Sequence, residues 1–164
     1  MMNTYSLFAT TVMHGKIIVQ PDLHKKILSH VNKELKVPGT TMRSIVNGHQ
    51  FHDNFDGKEE LNKLLNNYFK NNFQLKIESS WINVLNSNSY NRPHTHGGDR
   101  VCSSVVFYLS HNNNNITFVK DTETFEIKPG LFDYLLFPHN LVHYVLPEER
   151  VESRISYALN LEKC

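Results

Sequence analysis

The sequence predicts a mainly β domain, a sandwich, barrel or jelly roll, with two helices ahead of it. From residue 74 onward, about seven or eight short runs rich in β-branched and aromatic residues follow one another, with turn signals roughly every 8–12 residues. Before residue 74, two stretches repeat their apolar residues at helical spacing instead. The chain has 164 residues and neither an internal repeat nor a linker-like composition, which fits one domain around one core.

The elements follow in order. Tyr5-Ser6-Leu7-Phe8 and Lys16-Ile17-Ile18-Val19 read as one or two N-terminal strands. Pro21-Asp22 opens a helix, because proline suits a first helical turn and aspartate the positive end of the helix dipole. Leu23, Ile27, Leu28, Val31 and Leu35 form its apolar stripe, and Pro38-Gly39 stops it. Residues 40–56 read as polar and irregular; His49 and His52 within them suit a surface or core edge better than a ligand set. Leu61, Leu64, Leu65, Tyr68 and Phe69 give a second helix over 57–72. Then come a long strand over 75–85, a loop over 86–89, and a strand over 101–109. Shorter strands are predicted at 116–119, 124–127, 131–137, 142–146 and 153–159, with turns at the asparagine run and at Pro129-Gly130. Residues 1–73 thus read as a helical leader and 74–162 as the β core of a single domain over 1–164.

Composition narrows the function classes. A net charge of +1 leaves no excess of basic side chains for phosphates, which argues against nucleic acid or a membrane surface as partner. No apolar run approaches the ~18 residues of a spanning helix, and the N-terminus lacks the pattern of a secretory leader. Cys102 and Cys164 do not form a disulfide framework and read as free thiols, so a cytoplasmic location is expected.

One constellation carries chemistry. In Asn91-Arg92-Pro93-His94-Thr95-His96-Gly97-Gly98-Asp99, the two histidines stand at i and i+2, so in an extended chain both point to one face. Two converging imidazoles can hold a divalent metal, and His143 is the best third ligand. Either His96 completes the set or Asp99 swings in across the two glycines; the alternation favours His96. Further on, Arg154 and Ser156 share a strand face, where a guanidinium fork and a hydroxyl can hold one carboxylate, such as the far end of a small dicarboxylic acid. His139, on a turn after Pro138, suits a supporting or surface position, His111 an exposed one, and Trp81 the core or a pocket wall.

Taken with Trp81-Ile82-Asn83, Ser104-Val105-Val106-Phe107-Tyr108-Leu109, Leu135-Leu136-Phe137-Pro138 and Arg154-Ile155-Ser156-Tyr157-Ala158-Leu159-Asn160, these residues resemble a 2-oxoglutarate/Fe(II)-dependent oxygenase family of the prolyl-hydroxylase-like group. The motifs span about residues 75–162, in the family's order; the front half resembles it only loosely. The resemblance implies a double-stranded β-helix (a cupin-like jelly roll) flanked by two helices, with Fe(II) as cofactor and 2-oxoglutarate as co-substrate. His94, His96 and His143 would be the iron ligands, and Arg154 and Ser156 the 2-oxoglutarate anchor. Tyr108 and Asn83 would add co-substrate hydrogen bonds. The implied reaction is a hydroxylation by O2 with release of succinate and CO2, on a small-molecule or peptide side-chain substrate that the residues do not identify. Two positions depart from the family pattern: Gly97 replaces a usual proline, and Ser104-Val105-Val106 a usual Ser-Gly-Val.

Two other readings compete. A cupin-type metalloprotein without 2-oxoglutarate would carry a glutamate shortly after the second histidine, where this chain has Arg100 and Val101. A non-catalytic jelly-roll module would bind neither metal nor 2-oxoglutarate.

Overall fold

The computed structural model describes residues 3–7, 10–35, 40–42, 44–52, 55–111, 114–149 and 151–164. Among these residues the order is β1 (Asn3–Leu7), β2 (Thr10–Lys16), α1 (Pro21–Glu34), β3 (Thr40–Met42), β4 (Ile45–Phe51), α2 (Lys58–Phe73), β5 (Leu75–Leu85), β6 (Tyr90–His94), β7 (Ser103–Tyr108), β8 (Ile116–Lys120), β9 (Glu123–Ile127), β10 (Asp133–Pro138), β11 (Val142–Val145) and β12 (Arg154–Lys163).

All strand pairs are antiparallel, in the order β1-β2-β10-β7-β12-β5-β4-β6-β11-β8-β9, with β3 on β4. The chain crosses repeatedly between two four-stranded layers, β10-β7-β12-β5 and β6-β11-β8-β9, which makes a double-stranded β-helix. Their inner faces share one apolar cluster, in which Val106, Tyr108, Leu135 and Phe137 meet Ile116, Phe118, Ile127 and Val145.

The outer face of the β10-β7-β12-β5 layer is covered by the helices. Ile27 and Val31 of α1, and Leu61, Leu65 and Phe69 of α2, join Ile82, Val105, Phe107, Tyr157 and Leu159 in a second cluster. One hydroxyl ties helix to sheet: Tyr157 Oη donates to Asn62 Oδ1 (2.8 Å) and accepts from Ser80 Oγ (2.7 Å). The period-two alternation of β12 serves both clusters. Ile155, Tyr157, Leu159 and Leu161 pack under the helices, and Arg154, Ser156, Ala158 and Asn160 line the space between the layers.

The predicted leader is only partly helical. Both helices form within it, but β1 to β4 also lie there and belong to the sheet. The segment expected to be irregular contains β3 and β4; Arg43, Asp53 and Asn54 within it, like Phe8 and the Pro38-Gly39 stop, fall outside the described residues. Asn47, at φ 55°, hides β4 from a period-two reading. It kinks the strand, so that Ile45 and Val46 pair with β6 while His49 to Phe51 pair with β5. Gly48 belongs to this corner, since a Cβ there would lie 2.7 Å from the Val84 carbonyl. At the other predicted strand, β2 stops at Lys16; Ile17 and Val19 are buried in the link to α1, where the Ile17 N–H donates to the Phe132 carbonyl (3.0 Å).

If α2 is held by burial of its apolar stripe, Leu65→Ala, at a site with no exposed surface, should destabilise the fold by about 2–5 kcal/mol in a denaturant titration, with the unfolding slope unchanged.

Candidate active site

A cavity of about 660 Å³ opens between the two layers. Its walls include His94, His96 and His143, and also Arg154, Ser156 and Asn83.

His94 ends β6 and pairs across the ladder with His143 of β11; His96 lies two residues beyond β6. One nitrogen from each ring lies within 4.8 Å of the others. The hydrogen bonds fix which nitrogen that is. His94 Nδ1–H donates to the Arg92 carbonyl (2.7 Å), His143 Nδ1–H to the Leu141 carbonyl (3.0 Å), and His96 Nδ1–H to Asn160 Oδ1 (2.8 Å). Asn160 is itself oriented, because its Nδ2 donates to Ser79 Oγ (3.1 Å). All three rings therefore carry their proton on Nδ1 and present a bare Nε2. His96 Nε2 and His143 Nε2 stand 3.3 Å apart. With no proton on either, they repel unless a cation lies between them.

The surroundings keep the rings neutral. Burial, the largest cause in each case, lowers the His94 and His96 pKa values, His96 to about 4, and holds His143 well below its ordinary value. A neutral imidazole with a fixed tautomer is the form that binds a metal, so the residues fit a divalent ion. Asp99 is exposed on the turn after Gly97-Gly98 and lies outside the cluster, which leaves His96 as the third nitrogen.

At the start of β12, Arg154 is 1% exposed. Its Nη1 donates to Ser156 Oγ and its Nη2 to Tyr108 Oη, both at 3.3 Å, and the guanidinium sits 5.0 Å from the Tyr108 ring centre. Neither partner neutralises it, because burial pushes the Tyr108 phenol up to about 12 and it stays protonated. Among the described residues no carboxylate lies within ion-pair distance of Arg154, and its buried Nε–H has no acceptor. A buried, uncompensated charge costs several kcal/mol. The hydroxyls of Ser156 and Tyr108 accept from Arg154 and still have their own protons to give. In the ladder, Ser156 stands opposite Asn83 on one side and Tyr108 on the other. The arrangement is a set of unspent donors around one positive charge, suited to a carboxylate.

Other positions fall as follows. Trp81 forms a wall of the cavity and stacks on His96 (5.6 Å between ring centres); His52 stacks on the other face of Trp81 (5.5 Å). His139 supports His96 through its backbone carbonyl, which accepts the His96 N–H at 2.8 Å. His49 is buried against Phe51, and His111 is exposed. Sequence reasoning missed Gln50, His52 and Asn91 as cavity residues. Gln50 and His52 follow from β4, which the pattern concealed. Asn91 follows from a bulge: His94 pairs with His143 and Asn91 with Val145, so β6 has one residue more than β11 over this span. That extra residue turns Asn91 to the same face as His94. Asn91 Oδ1 and Trp81 Nε1 are buried there without partners among the described residues, an acceptor and a donor that a bound molecule can satisfy.

No protein-family model matches the chain, and no curated protein matches it in sequence. Solved structures do match. A prolyl-4-hydroxylase from Pseudomonas putida superposes with a TM-score of 0.68 at 13% identity, covering 93% of this chain and 92% of that one. The chain has the fold of the prolyl-hydroxylase-like oxygenases. A prolyl hydroxylase from Trichoplax adhaerens, in complex with a peptide fragment of the hypoxia inducible factor oxygen degradation domain, gives 0.70 at 13% identity over 93% of this chain and 83% of that one. HygX from Streptomyces hygroscopicus, with nickel and 2-oxoglutarate bound, gives 0.65 at 11% identity over 93% and 82%.

Two outcomes follow. His96 titrates near 4 when folded but near 6.5 when unfolded, so between those values the unfolded chain binds more protons. The metal-free protein should therefore lose melting temperature as the pH falls from 6.5 towards 4, whereas the Mn(II) affinity of the folded protein should fall only as the pH approaches about 4, where His96 takes up its proton; calorimetry across that range checks both. Arg154→Met removes an uncompensated buried charge, so in the absence of added anion the variant should melt no lower than wild type.

Proposed function

We propose that this chain is a 2-oxoglutarate- and Fe(II)-dependent dioxygenase that hydroxylates its substrate and releases succinate and CO2. The observation that carries the reading is the coexistence, in one cavity of this fold, of three bare Nε2 atoms and a buried guanidinium with no counter-ion among the described residues. The presence of 2-oxoglutarate with a metal in one neighbour of the same fold supports it.

His94, His96 and His143 would hold Fe(II), and three ligands on one side of a metal leave positions open on the other. Bound iron would supply the redox chemistry with O2 that no side chain can supply. The chain's own residues hold and orient. Arg154 and Ser156 take the far carboxylate of 2-oxoglutarate, with Tyr108 and Asn83 as further donors. Trp81 holds the plane of His96, and the Asn160 and main-chain acceptors keep every Nε2 free of a proton.

The substrate is a small molecule or a peptide side chain; the neighbour that holds a peptide fragment supports the second class. No helix among the described residues is long and apolar enough to cross a membrane. Two unpaired thiols, Cys102 and Cys164, support a reducing, cytoplasmic setting.

The test is succinate formation from 2-oxoglutarate with Fe(II) and O2, before any substrate is known. Slow turnover in wild type should drop to background in His94→Ala and in Arg154→Ala. A wild type that is stabilised by Mn(II) but shows neither turnover nor further stabilisation by 2-oxoglutarate would leave a metalloprotein of another kind. No response to either would leave a binding module.

A further inference from the structure

Gln50 belongs to none of the roles assigned above, yet it lines the cavity. It stands opposite Asn83 in the β4–β5 ladder, Asn83 opposite Ser156, and Ser156 opposite Tyr108. Four adjacent strands thus carry one row of polar side chains at a single level, and Arg154 touches its far members.

Gln50 is also the middle of a directed chain. His52 Nε2–H donates to Gln50 Oε1 (2.8 Å), and Gln50 Nε2 donates to Asn83 Oδ1 (3.0 Å). A carboxamide has one accepting and one donating end. In this arrangement the Gln50 oxygen faces the His52 ring, and its NH2 faces Asn83 and needs an oxygen there. Asn83, 8% exposed, is thereby turned with its oxygen towards β4 and its NH2 away from β4. No acceptor among the described residues takes that NH2. Without Gln50, either end of the Asn83 amide could face the cavity, and a carbonyl there would meet a carboxylate with repulsion in place of a hydrogen bond.

We infer that Gln50, backed by His52, is a positioning residue that fixes the polarity of the Asn83 amide and so completes the donor set for the co-substrate carboxylate. The inference rests on the proposed use of 2-oxoglutarate and adds a residue, a direction and a mechanism to it.

Gln50→Glu is the decisive variant. A carboxylate can only accept, so Asn83 must turn its NH2 towards it and show its oxygen to the ligand. With Mn(II)-loaded protein, the 2-oxoglutarate dissociation constant should rise about tenfold or more, while kcat of the Fe(II)-loaded protein at saturating 2-oxoglutarate stays within about threefold of wild type. Gln50→Leu only frees the amide and should weaken binding less, about threefold. Stabilisation by Mn(II) alone should be unchanged in both variants, which shows that the fold and the three histidines are intact. A new charge could also repel the ligand directly. In an Asn83→Ala background that repulsion would persist, whereas the inferred effect vanishes; Gln50→Glu should then add less than about a twofold change. An affinity within about twofold of wild type in Gln50→Glu, or a full effect retained in the Asn83→Ala background, overturns the inference. A wild type that binds Mn(II) but not 2-oxoglutarate overturns the parent reading on wild-type data alone, and this inference with it.

Discussion

The pleat of β12 is the constraint on which the cavity depends. The strand lies between β5 and β7 in the helix-covered layer, so each of its side chains must go either under the helices or into the space between the layers. Its apolar half is fixed by the helix-side cluster. That leaves Arg154, Ser156, Ala158 and Asn160 inside, a guanidinium at one end and a carboxamide at the other. A shift of register by one residue would exchange the two sets and remove the buried guanidinium and the His96 support together. Burial of Ile155, Tyr157 and Leu159 thus holds the polar chemistry in place, although none of the three touches it.

The three histidines are oriented by different ranges of interaction. His94 and His143 each donate to the carbonyl two residues back, a bond within their own strand segment. His96 lies beyond β6 and depends on distant parts of the chain: Asn160 for its Nδ1, the His139 carbonyl for its backbone, Trp81 for its plane. His96 is therefore the one of the three rings most coupled to the remainder of the fold.

Legibility in the sequence follows the same division. The β12 alternation, the paired spacing of His94 and His96, and the apolar stripes of both helices are local patterns, and the structure bears out their placement. Whether Asp99 or His96 joined the cluster depended on a turn that no periodicity describes. The strand β4 was hidden because the left-handed Asn47 interrupts its alternation, and Gln50 and His52 were hidden with it. Asn91 was hidden because its orientation comes from a bulge, a mismatch between two strands that neither reveals alone. The missing counter-ion of Arg154 is likewise a property of the assembled cavity.

Gly97 occupies the cavity wall beside His96, and a Cβ built there would find, among the described residues other than its two chain neighbours, no atom within 4 Å. The position is thus sterically vacant next to one of the most constrained side chains in the molecule. A small side chain can be introduced there without meeting any more distant part of the described chain. Gly97 is therefore a natural starting point for engineering: a place to narrow, charge or extend the entrance, and so retune which molecules enter, while the chemistry behind it stays the same.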